Sequence, residues 1–593
     1  MSVLIKTFRS LLTDISSKLE VRLVAPHDLD INWITKSGPA LDKLVLMYLE
    51  RDGHCMPQPD PGTVFPEWLK PLWERFLLKE EPLVLKYIRQ ILVFGYKARF
   101  DPTNEQRKEA QASFVNTEAD VASFDQDLME DSELEKVVFW RTARNLVSRV
   151  IGDIDWSVII PKHGPGSVFP NFRFCERSDF DTIYTSIEPY YPFFDNFVLL
   201  PGFIPYGADE QSLEKLKVSN SIVANLTDVP KDSRGPRLIS VHPRESIWIQ
   251  QGQRVILEQK IQKHCSPYIS LRDQSVNGSL ALKSSQDRRF CTLDLKEASD
   301  RLSCRTVSFL FGKAYPWIAC SRADSIRLFD GSVMKLSKFA PMGNAICFPV
   351  ESLCFWAVVK AGITCKHGRD AAKQVFVFGD DILCPSEYYD VACESLTRAN
   401  LIVNTAKSFH RGFFRESCGV DAFKGVNVTP HRMKVHDVSS KDNLASACAL
   451  AKNLRMDGYE ETATSLYFSI RKRLKELFLR RKGDKGRRWY KGLLSMTNNP
   501  ECQGICEYVD RGFDYLLANE PSLRWDDLYQ RYVTATILPE AQVEFRSCYW
   551  YNMQDSMLLI EHRGGDAIVS NDGLSYPIPY RTRLKIGWTE VRR

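Results

Sequence analysis

The sequence predicts an α+β fold, a sheet backed by helices on one face, with helical regions before and after it. Three observations carry this reading. In the N-terminal third, residues 41–50, 86–96 and 132–151 place apolar side chains at helical spacing. From about residue 286, short β-type runs alternate with helical stretches. Within that region two apolar runs flank Gly379-Asp380-Asp381, the pattern of two strands about a tight turn.

The order of elements follows from the same patterns. Pro- and Gly-rich breaks at 56–66, 161–170 and 201–207 end the helical third. Residues 289–295 read as a strand, followed by a helix capped near Ser299 or Asp300. Residues 345–361 read as a helix that stops at Gly362, with Pro349 expected to kink it by removing a backbone hydrogen bond. Strands at 374–378 and 382–384 come next, then a helix at 388–400 and a strand at 401–404. Beyond about 430 the chain reads as helical and basic, then as a mixed, aromatic-rich tail.

A chain of 593 residues exceeds one simple core, so three or four subdomains are expected. With 44% hydrophobic and 26% charged residues, the composition is that of a folded chain and excludes a disordered one. A net charge of +5 permits a nucleic-acid partner without demanding one, so local clusters matter more than the sum. Residues 1–12 lack the apolar core of a secretory signal, and no run of about 18 apolar residues suggests a membrane span. The 16 cysteines are therefore expected as free thiols of a reducing cytoplasm. Cys502 and Cys506, the closest pair considered for zinc, lack a neighbouring second Cys/His pair.

The sharpest chemical feature is Asp380-Asp381 at the tip of the apolar hairpin. Buried carboxylates without a counter-charge are costly, so a cation is expected to meet them. An ordinary surface turn is the plain alternative. A second carboxylate strand decides between them: Phe290-Cys-Thr-Leu-Asp294 is an alternating run ending in aspartate just before a helix. Asp294 as a helix N-cap is the competing role, but Ser299 and Asp300 are better placed for it. Three aspartates on two strands make a hard, all-oxygen site suited to Mg2+ or Mn2+. Two such ions, roughly 3.5–4 Å apart, clamp the attacking and leaving oxygens of phosphoryl transfer. The chemistry indicated is nucleotidyl transfer, with a 3′-hydroxyl attacking the α-phosphate of a nucleoside triphosphate.

At this point the residues resemble a family. Asp294 with Ser299-Asp300 is similar to motif A of the RNA-phage (levivirus) replicases, and Asp380-Asp381 to motif C. Pro341-Met-Gly343-Asn344 with Glu351-Ser352 resembles motif B, and Asn404-Thr-Ala-Lys407-Ser-Phe409 motif D. Phe414-Arg415-Glu416-Ser417-Cys418-Gly419 is close to motif E, and Val229-Pro230-Lys231 with Arg234 and Arg237 to motif F. Asp273-Gln274-Ser275-Val276-Asn277 matches a family segment ahead of motif A. The resemblance runs in order from about 229 to 430, while the outer 150 residues at each end match only loosely. Ala340-Pro341 departs from the small hydroxyl residues usual before Met-Gly-Asn.

The resemblance implies an RNA-dependent RNA polymerase of right-hand architecture, an antiparallel palm sheet backed by helices, with fingers and thumb. It places the palm at 286–430, the fingers and an N-terminal helical region at 1–285, and the thumb with the C-terminal region at 431–593. It implies Asp294, Asp380 and Asp381 as catalytic ligands of two Mg2+ ions, with Mn2+ as a substitute. Lys231, Arg234, Arg237, Ser299, Asp300 and Asn344 are implied as nucleotide-binding. For the cations the chemistry agrees, because arginine forks and lysine point charges grip phosphate oxygens. Asn344 can read a ribose hydroxyl, and Gly343 before it allows a close approach to ligand; capping the next helix is its plain role. Lys407 is expected as a general acid toward pyrophosphate if its pKa is tuned downward.

The implied partners are template RNA, nucleoside triphosphates, host elongation factors Tu and Ts, and an RNA-binding small-subunit ribosomal protein, all in the cytoplasm of an infected bacterium and away from membrane. The basic run 471–491, with Trp489 and Tyr490 interleaved, is a candidate RNA contact. His163-Gly-Pro-Gly166 is a tight turn without a derived role. Two rivals stand beside this reading. A reverse transcriptase shares the palm chemistry, but Gly379 before Asp-Asp argues against it. A catalytically silent RNA-binding protein would not need three intact aspartates.

Overall fold

The computed structural model describes residues 2–24, 26–51, 60–128, 130–164, 166–172, 177, 180–197, 216–439 and 441–479, with strands at 524–526, 531–547, 568–570 and 573–590. Helix α1 (Val3–Leu19) opens on Ser2, whose hydroxyl accepts the Ile5 N–H at 3.3 Å. Helices α2 (Gly38–Leu49) and α3 (Pro82–Val93) carry proline in their first turns, where no intrahelical N–H is lost. Helix α4 (Asn104–Asp127) starts with a capping box between Thr103 and Gln106. The expected helix at 132–151 is divided: a short turn of helix ends at Lys136, and α5 (Val138–Ile151) follows across extended Val137.

The hairpin β1 (Val223–Asp232) and β2 (Gly235–Val241) pairs antiparallel, and β1 runs parallel to Ser325–Arg327 on its other edge. After α6 (Ser275–Asp287), strand β3 (Phe290–Leu293) gives way at Asp294 to β4 (Leu295–Lys296), and the short helix α7 (Ala298–Arg301) follows. Helix α8 (Cys347–Ala371) is the long apolar helix of the centre. Then come β5 (Phe376–Phe378), β6 (Asp381–Pro385), α9 (Tyr389–Arg398), β7 (Ile402–Val403), β8 (Phe414–Ser417), β9 (Val420–Phe423), α10 (Lys441–Met456) and α11 (Glu460–Leu479). The central sheet has strand order β3-β6-β5, all antiparallel, and β4 pairs antiparallel with β7 beside it. Helices and antiparallel strands in separate layers make the fold α+β.

Three large cores hold these layers, and a smaller cluster of Phe290, Phe376 and Leu383 packs the central sheet against Val276 and Leu280 of α6. Helices α5, α8 and α9 pack on the central sheet through Val147, Val350, Leu353, Val358, Leu396, Leu293 and Ile382. Each fully buried aliphatic side chain contributes about 1.5–3 kcal/mol of transfer free energy. A second core joins α1 and α3 to Phe409, Phe414, Phe423, Leu454 and Leu466, so the chain's first hundred residues pack against the segment that follows the central sheet. A third lies behind the β1–β2 hairpin, around Leu226, Trp248 and Ile326.

The helix expected to stop at Gly362 runs on to Ala371. A Cβ at Gly362 would collide with the Ser395 hydroxyl, so this glycine lets α9 approach α8 closely and does not end the helix. The departure from helical backbone comes at Gly368, with φ 85°. Pro349 causes no kink. It sits in the first turn of α8, where its missing N–H would have had no acceptor in the helix. Helix α8 is long and apolar enough to cross a membrane, yet 83% of its most apolar window is buried inside the protein, as befits a core helix.

Candidate active site

The hairpin β5–β6 places its turn at Gly379-Asp380, with Asp381 paired to Phe378 and Ile382 to Val377. Gly379 has φ 61°, and a Cβ there would lie 2.5 Å from the Phe348 ring, so position and packing both require glycine. The Gly379 N–H donates to Ser352 Oγ at 3.1 Å, tying the turn to α8. The Asn277 side chain donates to the Asp381 carbonyl at 3.2 Å, tying it to α6. Both anchors are buried polar groups whose pairing fixes the turn.

Asp294 stands level with Asp381, one step beyond the Leu293–Ile382 pair. It is where the chain leaves the central sheet. Its N–H donates to Ser408 Oγ at 3.1 Å and its carbonyl accepts from the Asn404 N–H at 2.8 Å. Asn404 also donates its side-chain amide to Asp294 Oδ2 at 2.6 Å. Asp294 is therefore no helix cap. Nor are Ser299 and Asp300: α7 begins at Ala298 after Glu297, whose φ is 53°, so both lie inside the helix.

The carboxylates act on one another. Burial pushes the Asp381 carboxyl up to about 6, with Asp380 and Asp294 adding to the shift. Asp294 is raised by burial and by Asp380, against the pull of Lys407 and Asn404. Glu351, buried in the second turn of α8, is pushed up to about 8 by burial and then by Asp380. Asp381 Oδ2 accepts the Cys418 N–H at 3.1 Å, from the turn between β8 and β9. Among the described residues no three His, Cys, Asp or Glu side chains form one close ligand set. The aspartates are coupled through their fields, and that mutual repulsion among oxygen donors fits a hard divalent cation.

Cations face this group. Lys407 Nζ lies 3.8 Å from Asp294 Oδ2. Burial disfavours its charge, but Glu416 and Asp294 outweigh it and hold its pKa above the usual lysine value. The expected downward tuning is thus reversed, because acidic neighbours surround the ammonium. Arg234 is committed elsewhere: its guanidinium meets both Asp232 oxygens at 3.1 and 2.7 Å and lies over the Tyr96 ring. Lys231 and Arg237 form no ion pair among the described residues, and Lys231 is lowered by desolvation and by Arg237. The sequence reading missed Lys97 and Lys434. The Arg99 N–H donates to the Lys434 carbonyl at 3.0 Å, and the Lys97 ammonium, lowered by desolvation, feels Arg432, Lys407 and Lys434. No motif marks them, since they lie far apart in the sequence.

Asn344 closes a turn ahead of α8, whose N-cap is Ile346, and so does not cap the helix itself. Its Oδ1 accepts the Ile346 N–H at 2.9 Å, while its Nδ2 is buried without a partner. Gly343, with φ 118°, makes a close approach to the Ser240 carbonyl of β2, where a Cβ would collide. Ser299 is buried, and Asp300 Oδ1 accepts from Lys338 Nζ at 3.1 Å.

Aspartates at the ends of adjacent strands, the Gly343-Asn344 turn packed on β2 and a cationic hairpin fall within one continuous span. Residues 204–458 match the family model for RNA replicase, beta-chain. The match covers under half of the 593 residues. The chain is similar to the RNA-directed RNA polymerase beta chain of Escherichia phage MS2, at 35% identity over 41% of this chain and 42% of that protein. The RNA-directed RNA polymerase subunit beta of Escherichia virus Qbeta is 33% identical over 42% of this chain and 41% of its own length. The chain thus aligns with about two-fifths of the length of these relatives. A solved RNA-dependent RNA polymerase of a human picorbirnavirus shares 11% identity at a TM-score of 0.32, covering 42% of this chain and 55% of that one.

The described cysteines are free thiols. Cys502 and Cys506 lie outside the described residues, as do Trp489 and Tyr490 of the basic run, which enters α11 and then leaves the described part. His163 is partly buried, its ring set between Phe180 and Trp248, which pack in the third core.

Proposed function

We propose that the chain is an RNA-dependent RNA polymerase that copies a single-stranded RNA phage genome. The observation that carries this reading is the placement of Asp294 level with Asp381 across β3 and β6, with Asp380 in the turn between β5 and β6. The replicase-like span around it supports the same activity. In the right-hand description, residues 286–430 are the palm, the preceding region the fingers and the region after 430 the thumb.

Asp294, Asp380 and Asp381 would hold two divalent ions, Mg2+ or Mn2+. Bound there, such ions favour the attacking alkoxide and neutralise charge on the leaving pyrophosphate. The chain's own residues do the remainder. Asn404 and Cys418 orient the carboxylates. Lys231 and Arg237 bind the triphosphate, and Lys97 and Lys434 extend that positive field. Lys407, held protonated by Asp294 and Glu416, supplies a charge and a proton to the departing oxygen. Asn344 Nδ2 and Asp300 read the ribose. The partners are template RNA and nucleoside triphosphates, with host elongation factors Tu and Ts and a small-subunit ribosomal protein, in the cytoplasm of an infected bacterium.

The test is Mg2+-dependent incorporation of labelled ribonucleotides on an RNA template, with and without bacterial extract, for wild type and Asp380→Asn. Incorporation that vanishes in the variant supports the reading. No incorporation by wild type under either condition, with RNA binding equal in both proteins, overturns it in favour of a silent RNA-binding protein.

A further inference from the structure

Lys338 is a fully buried lysine, and its ammonium is enclosed by three groups, two from α4 and one from α7. It lies 3.1 Å from Asp300 Oδ1, 3.3 Å from Glu118 Oε2 and 3.6 Å from the centre of the Phe114 ring. Glu118, itself buried, also accepts the backbone N–H groups of Ser337 and Lys338 through Oε1, the latter at 3.2 Å. Glu118 and Phe114 belong to α4, outside the central sheet. Asp300 belongs to α7, and Lys338 precedes the Asn344 turn by six positions. A buried ammonium is tolerated only where counter-charges meet it, and here two carboxylates and an aromatic face do so.

This geometry fixes one oxygen of Asp300 and leaves the other, Oδ2, without a partner among the described residues. A carboxylate oxygen is a hydrogen-bond acceptor, so Oδ2 is matched by a donor. A ribose hydroxyl can donate to it, whereas a deoxyribose leaves it unmatched. Sites built to bond a hydroxyl reject the analogue lacking it far more strongly than apolar pockets reject a missing methylene.

We propose that Lys338, held by Glu118 and Phe114, is the positioning residue that fixes Asp300 for ribose selection, so that α4 sets sugar specificity from outside the palm. This rests on the polymerase reading and on Asp300 meeting the sugar. Lys338 touches no substrate, and its effect passes through Asp300 alone.

The test compares kcat/KM for a ribonucleoside triphosphate and its 2′-deoxy analogue, in Mg2+ on an RNA template, for wild type, Lys338→Met, Asp300→Ala and the double variant Lys338→Met/Glu118→Gln. The double variant removes both buried charges and keeps the glutamine carbonyl as acceptor for the Ser337 and Lys338 amides, so the comparison rests on it if Lys338→Met alone does not fold. The expected result is a ribose preference at least ten-fold below wild type in the Lys338 variants, approaching that of Asp300→Ala, while thermal melting confirms a folded chain. A preference equal to wild type in the folded double variant overturns the proposal and leaves the polymerase reading intact. Wild type that incorporates neither nucleotide overturns the polymerase reading, and the proposal with it.

Discussion

Asn404 grips Asp294 twice, donating its main-chain N–H to the aspartate carbonyl at 2.8 Å and its side-chain amide to Oδ2 at 2.6 Å. The first contact sets where the strand ends and the second sets the carboxylate rotamer. Asn404→Leu keeps similar volume and removes the second contact. Loss of an outer partner of a ligating group typically costs 10–100-fold in metal affinity or activity. Titrating Mg2+ in the incorporation assay should show a half-saturation raised by about ten-fold or more, with little change in melting temperature. A wild-type Mg2+ dependence would mean that Asp294 needs no such orienting bond.

Gly362 and Ser395 define the approach of α8 to α9. In an exposed helix, glycine to alanine is stabilising by about 1 kcal/mol. Here the added methyl meets the Ser395 hydroxyl, so Gly362→Ala should instead destabilise by about 1–3 kcal/mol through overpacking. Urea denaturation gives the sign directly, and a gain in stability would contradict the packing described.

Glu351 gives the metal-free protein a pH-dependent stability. Its folded-state pKa, about 8, lies above the ordinary carboxyl value of 4.5, so the folded chain holds the proton more tightly. That favourable contribution is complete at low pH and is lost as pH rises from about 4.5 to 8. The slope approaches about 1.4 kcal/mol per pH unit. Glu351→Gln stays neutral and should lose this dependence, being the more stable protein at pH 8 relative to wild type. Parallel denaturation curves between pH 5 and 9 for the two proteins would refute it.

Arg89 joins the N-terminal helices to the hairpin β8–β9, at 3.0 Å from Asp42 Oδ1 and 2.6 Å from Asp421 Oδ2, with all three buried. Glu416, pushed up to about 7 by burial and by Asp421, lies in the same field. Arg89→Met leaves buried Asp42 without its cation and Asp421 with Arg432 alone, at 3.1 Å, and should cost about 3–5 kcal/mol. Replacing all three with apolar residues should recover much of that loss. A single variant with unchanged denaturation midpoint would show the network to be dispensable.

The local elements of the central region were legible because each is coded by neighbours in sequence. The apolar runs about Gly379 became β5 and β6, and the alternating run before Asp294 became β3. Errors arose where distant contacts overrule local preference. Gly362 reads as a helix stop until Ser395 is set against it, and Pro349 reads as a kink until its place in the first turn is known. Lys407 sits in a recognisable motif, but the rise in its pKa comes from Glu416 and Asp294, which no local pattern displays.

The sequence by itself displayed the three aspartates, the strands that lead to them and the order of the motifs, because carboxylate type and strand period are properties of short segments. Only the tertiary structure decided which cations remain open. Arg234 is taken by Asp232 while Lys231 and Arg237 are not, Lys97 and Lys434 arrive from far along the chain, and Lys338 is enclosed by Glu118 and Asp300. Charge pairing depends on distance and burial, and both are set by the packing of segments that sequence separation keeps apart.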